Sequence, residues 1–96
     1  MYSRLNSPFE FNELTKKEQG QLLEWCGNLE KTKTINQNVD SYSIKHLFEK
    51  SENGFYIPNG AIKGALISAG FKWSGDEDSV NYKFNVSQRS INKFYK

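Results

Sequence analysis

The chain predicts an α+β fold in which a group of helices is followed by a C-terminal β-hairpin. Three observations carry this expectation. Apolar residues recur at helical spacing in three stretches before residue 70, the pattern changes to strict alternation from Phe71 onward, and a polar loop containing Gly75 separates the two alternating runs.

With 96 residues the chain is expected to form one domain, 1–96, that buries about 60–65 % of its unfolded surface. Aromatic residues make up 15 %, enough to build a single core without disulfides. Apolar runs are broken within a few residues by Lys, Glu or Asn, and "MYSRLNSPFEF" lacks the apolar stretch of a secretion signal, so a cytoplasmic, non-membrane protein is expected. One Cys and one His provide no ligand set for zinc, and no cofactor motif is present.

After an irregular leader closed by Ser7-Pro8, "TKKE" has the spacing of a capping box, Thr15 to Glu18, and announces an N-terminal helix within residues 12–30. Leu22, Trp25, Cys26 and Leu29 line one side of it, and Gly20 weakens it mildly. "EKTKTINQNVD" has no helical period and is expected as a connection, with a short extended piece at 34–39. Asp40 or Ser41 then caps a second helix whose core side is Ile44, Leu47 and Phe48, stopped by Asn53-Gly54.

"FYIP" is expected as a brief strand, because Pro58 biases Ile57 to extended backbone. Asn59 is expected to cap the third helix, with Ile62, Ala65, Leu66 and Ala69 on its core side and Gly70 as its left-handed stop. The opposite side of this helix is nearly bare: Gly64, Ile67, Ser68 and one charge, Lys63. A solvated side is normally charged, so something is expected to approach it. Gly64 suits either helix packing or a ligand.

In the hairpin Phe71, Trp73, Tyr82, Phe84 and Val86 alternate inward, sending Lys72 and Lys83 to the other side. Those lysines suit either a solvated strand face or a ligand contact. Alternation assigns Trp73 to the core rather than to base stacking, and Cys26 and Trp25 fall on the apolar stripe of the first helix. His46 has no second His or nucleophile in a motif around it. Ser87 caps a tail helix over residues 87–96, with Ile91, Phe94 and Tyr95 as its apolar contacts.

The resulting order of elements is that of a winged helix-turn-helix. "SYSIKHLFEKSENGFYIPNGAIKGALISAGFKW" with "YKFNV", residues 41–86, resembles the winged-helix domains that accompany replication primases and helicases of phages and other mobile elements. It also resembles small stand-alone proteins of such elements. The resemblance implies a DNA-binding role in replication or maintenance of a mobile element, and it rests on residues that specify turns and packing.

The expected contacts to nucleic acid are Lys45, Tyr56, Asn59, Lys63, Ser68, Lys72, Lys83, Arg89 and Lys93. Lysines and the arginine would meet phosphate, Asn59 and Ser68 phosphate or base, and Tyr56 would stack. Residues 41–96 hold eight basic and five acidic side chains, which suits a polyanion. The acidic run Asp76, Glu77, Asp78 at the hairpin tip opposes a duplex backbone, so single-stranded DNA, bound with low sequence specificity by a replication accessory, is favoured over duplex DNA bound by a regulator. No phosphate-binding loop, nucleophile elbow or catalytic carboxylate pair is present, and the chain is expected not to be an enzyme. The rival expectation is a docking module or inhibitor that uses the same surface, centred on Ile67, against a host or element-encoded protein, such as a member of a replication complex. Oligomeric state is left open.

Overall fold

The computed structural model describes residues 6–75 and 79–93. A 3-10 helix, Pro8–Glu13, leads into α1, Lys16–Cys26; α2, Ser41–Lys50, and α3, Asn59–Ser68, follow. The hairpin of β1, Trp73–Ser74, and β2, Lys83–Phe84, comes next, and α4, Gln88–Asn92, closes the chain. This is an α+β domain in which a cluster of helices precedes a short antiparallel hairpin, an arrangement like that of a winged helix-turn-helix. No helix among the described residues is long and apolar enough to cross a membrane.

Local signals set most of the helix ends. Thr15 and Glu18 form the reciprocal capping box, Thr15 Oγ1 accepting from the Glu18 N–H at 3.1 Å and Glu18 Oε1 from the Thr15 N–H at 2.9 Å. Asp40 Oδ1 accepts from the Ser43 N–H at 3.0 Å, and Ser87 Oγ from the Ser90 N–H at 3.3 Å. At the end of α3, Gly70 has φ +93°, its N–H donates to Ile67 O, and the Phe71 N–H donates back to Leu66 O at 3.0 Å. That pair of bonds is the Schellman stop, and Leu66 and Phe71 are both buried beside it.

Three local expectations are corrected. Residues 8–13 form a 3-10 helix where the first α-helix was expected to begin, because Ser7 Oγ accepts from the Phe9 N–H at 3.2 Å and Pro8 occupies the first helical turn. "FYIP" pairs with no strand; the Ile57 N–H is satisfied by Glu49 Oε2 at 3.1 Å instead. The cap position before α3 is taken by Pro58, which has no side-chain acceptor, and Asn59 is the first helical residue.

The connection between α1 and α2 contributes more than composition suggests. It runs beside β2 on the edge away from β1, with the Thr32 N–H donating to Asn85 O at 2.8 Å and the Asn36 N–H to Phe84 O at 2.9 Å. The Ser41 N–H donates to Tyr82 O at 2.8 Å, and isolated antiparallel bridges join Lys31 to Val86 and Asp40 to Lys83. Asn85, buried, ties the three segments together: its Oδ1 accepts from the Lys72 N–H at 2.7 Å and its Nδ2 donates to Thr32 O at 2.7 Å. A two-residue hairpin is marginal alone, and this third edge supports it.

Trp73 pairs with Phe84 as the alternation requires, yet Phe84 is fully buried and Trp73 is 48 % exposed. β1 is the outer strand, and no described element pairs beyond it, so a residue in phase with the core still lies at its rim. The core itself joins α1, α2 and α3 to the inner side of the hairpin, with Trp25 meeting Phe48 edge to face at 5.4 Å between centroids. Cys26 is enclosed there, and burial pushes its thiol up to about 12. At pH 8 a thiol-disulfide reagent should therefore react more than about a thousandfold slower with the folded protein than in denaturant. Equal rates would place Cys26 at the surface.

Candidate functional site

The bare side of α3 is covered by the chain's own leader. Residues 59–66 are all buried, and the 3-10 helix lies directly across them. A Cβ at Gly60 would strike the carbonyl oxygen of Ser7, and one at Gly64 would strike the carbonyl oxygen of Pro8 and come within 2.6 Å of Phe11 Cβ. The two glycines, four apart on one side of the helix, form the recess in which the leader sits. The approaching group is protein.

Lys63 lies in the same recess with no solvent exposure. Its Nζ donates to Asn6 O at 2.8 Å and Ser79 O at 3.0 Å and stands 4.1 Å from the centre of the Tyr82 ring. It links three parts of the chain: α3, the leader and the segment that enters β2. Loss of hydration lowers its pKa from 10.5 to about 8. Asn59 is also buried, its Nδ2 within bonding distance of Val80 O (2.7 Å), Asn81 Oδ1 (2.9 Å) and Asn6 Oδ1 (3.1 Å), while its Oδ1 has no partner. Lys63 and Asn59 were expected at a DNA backbone; here they are interior ties, and of the expected α3 contacts only Ser68 is exposed. Ile67, expected at the centre of a docking face, is half-buried against the core.

The remaining expected contacts fall into two places. Lys72 and Lys83 belong to the hairpin and Arg89 and Lys93 to α4 and its end; Lys83 is half-buried and the other three are exposed. Lys83 Nζ is 3.4 Å from Gln37 Oε1, and none of the four pairs with a carboxylate among the described residues. Trp73 follows Lys72 in the chain and pairs with Phe84 on the opposite face of the hairpin, exposed where it was expected to be buried. The acidic run 76–78 lies outside the described residues, as do Phe94 and Tyr95.

Lys45 and Tyr56 belong instead to a groove of about 550 Å³ formed by α2, the α2–α3 turn, the leader and the approach to β2. Its walls are Tyr42, Lys45, Tyr56, Pro58 and Val80, with the amides of Asn6, Asn59 and Asn81. Tyr42, Tyr56 and Val80 are 52 %, 75 % and 55 % exposed, three of the five large apolar side chains that are exposed among the described residues. Lys45 is buried, its Nζ 2.9 Å from Glu49 Oε2 and at 5.0 and 5.9 Å from the centres of the Tyr56 and Tyr42 rings. His46 packs edge-on to Tyr42 at 4.3 Å and has Nδ1 3.7 Å from the Glu49 carboxylate. Sequence reasoning missed Tyr42, Val80 and Asn81; an aromatic on the polar side of the amphipathic α2 was the available signal for the first. No cluster of His, Cys, Asp and Glu that could hold a metal occurs among the described residues.

Comparison of the chain with protein-family models, with curated proteins and with solved structures finds no match.

Proposed function

We propose that the protein is a non-catalytic DNA-binding domain that takes single-stranded DNA on its hairpin and α4 side, serving replication or maintenance of a mobile genetic element. The observation that carries this reading is the closure of α3. With residues 59–66 buried under the leader, the helix that would enter a major groove offers little but Ser68, and of the basic residues expected at nucleic acid Lys72, Lys83, Arg89 and Lys93 have no carboxylate partner among the described residues. Trp73 shares the face of Phe84, opposite Lys72 and Lys83, but is half exposed at the rim of the outer strand, where a base held by the lysines can stack on its ring only over the strand edge. Lysines that meet phosphate without reading bases give low sequence specificity and strong salt dependence. The process assigned, replication of a mobile element, rests on the resemblance of residues 41–86.

The test is fluorescence anisotropy of labelled single-stranded and duplex DNA of equal length at two salt concentrations. We expect the single strand to bind more tightly and its affinity to fall steeply with salt. Lys72→Glu with Lys83→Glu should weaken it more than about tenfold at low salt, and Trp73→Ala should weaken it about five- to tenfold. Unchanged affinity in both variants would remove this surface, and tighter duplex binding would remove the single-strand preference.

A second reading, a docking module for another protein, is favoured by one observation: the tyrosine-lined groove is exposed and apolar, and among the described residues it carries no uncompensated charge.

A further inference from the structure

The groove at the α2–α3 turn has a particular balance of hydrogen-bonding groups. Asn6 Oδ1, Asn81 Oδ1 and Val80 O converge on the buried Asn59 Nδ2, whose two hydrogens they share, and Asn59 Oδ1 is itself buried, so these acceptors are turned inward. What faces outward can donate. The Asn81 side chain is exposed with its Oδ1 already engaged, so its amide N–H groups are the available ones, and neither the Tyr42 nor the Tyr56 hydroxyl has a partner among the described residues. The tyrosine hydroxyls can donate or accept and the Asn81 amide can only donate, so the balance of the outward groups suits a ligand rich in acceptors.

Charge narrows the choice further. Among the described residues Lys45 is the only charged side chain in the walls, and its ammonium is paired with Glu49 at 2.9 Å. A phosphodiester chain would find no net positive field there, whereas a neutral ligand loses nothing. The two tyrosine rings flank that ammonium, with Pro58 and Val80 completing an apolar floor and rim.

We propose that this groove is a docking site for a neutral, extended, proline-containing segment of a protein partner. Proline has no N–H, and in a polyproline helix the carbonyls have no internal partners, so such a segment presents acceptors without donors. Its pyrrolidine rings offer flat apolar faces to tyrosines, and its preformed backbone lowers the ordering cost of binding. The inference goes beyond the DNA reading, uses none of the hairpin lysines, and gives the docking reading its partner chemistry.

The experiment titrates capped decaproline, and separately a thymidine decanucleotide, into the isotope-labelled full chain and follows backbone amide shifts at about 50 and 500 mM salt. Saturable shifts are expected with decaproline at the amides of Tyr42, Lys45, Tyr56, Val80 and Asn81, with affinity changing less than about twofold between the two salts. Tyr56→Ala and Tyr42→Ala, both at exposed rings, should each weaken the peptide about tenfold while leaving distant amides unmoved. Lys72→Glu with Lys83→Glu should leave peptide binding intact, which separates failure of this inference from failure of the DNA reading. Absence of saturable shifts at millimolar decaproline would overturn it. So would shifts located elsewhere, or a decanucleotide that saturates the same amides more tightly at low salt.

Discussion

Replacing Gly64 by Ala is expected to make the protein about 2–4 kcal/mol less stable, although alanine is the better helix former by about 1 kcal/mol. The added methyl would meet the carbonyl oxygen of Pro8 and the Cβ of Phe11, and a backbone carbonyl held in a 3-10 helix cannot move aside as a flexible side chain can. Gly60→Ala should behave the same way, against the backbone of Ser7. Gly20 is the internal control. It also lies within a helix, nothing stands within 4 Å of a Cβ placed there, and Gly20→Ala should stabilise the fold by about 0.5–1 kcal/mol. Urea denaturation of the three variants reads the difference directly. Three stabilised variants would mean that the leader does not lie on α3.

The second large effect belongs to Lys63. Truncation to Ala leaves the carbonyls of Asn6 and Ser79 without this donor and opens a cavity against Tyr82, for an expected loss of about 3–5 kcal/mol at pH 7. The pH dependence has a defined sign. The folded state lowers the lysine pKa to about 8 from 10.5, so between those values the unfolded chain holds a proton that the folded chain has lost. Stability contributed by this group therefore rises as pH increases from about 8 to 10.5, by on the order of 2–3 kcal/mol, and the penalty is fully present below pH 8. Other groups titrate in the same window, so the useful quantity is wild type minus Lys63→Met. That difference should grow in favour of the wild type across the window; parallel curves would show the amine to be hydrated.

How the leader and Lys63 came to be unexpected follows from the kind of information each carries. The capping box at Thr15, the Asp40 and Ser87 caps and the Gly70 stop are local, because a side chain satisfies a backbone group two or three residues away or a single residue adopts φ > 0. Alternation told which hairpin residues share a face, and Phe71, Tyr82, Phe84 and Val86 are buried accordingly. Trp73 is in the same phase and half exposed, because periodicity gives direction along a strand while burial depends on what lies over it. The connection 30–40 has no period of its own. Its extended course depends on the edge of β2, which lies more than forty residues later in the chain.

The candidate surfaces divide along the same line. Lys72 was legible as exposed by alternation, which put Lys83 on the same face but not its half-burial, and Tyr56 as an aromatic in a turn. The groove was not, because Tyr42, Tyr56, Val80 and Asn81 come from three segments that only packing brings together. Lys63 was read as a surface cation because a charged side chain is almost never fully buried unless partnered, and its partners include two backbone carbonyls, of Asn6 and Ser79, from segments far apart in the sequence.

By itself, the sequence determined the α+β class, the order of helices and hairpin, the main helix caps and the anomaly of a third helix with a bare outer side. Those rest on contacts among near neighbours and on periodicity. The tertiary structure alone decided what covers that side. Gly60 and Gly64 leave room for whatever backbone arrives, and only the folded chain brings the Ser7 and Pro8 carbonyls there, with Lys63 bound beneath the leader by groups more than fifty residues apart from it on one side and sixteen on the other.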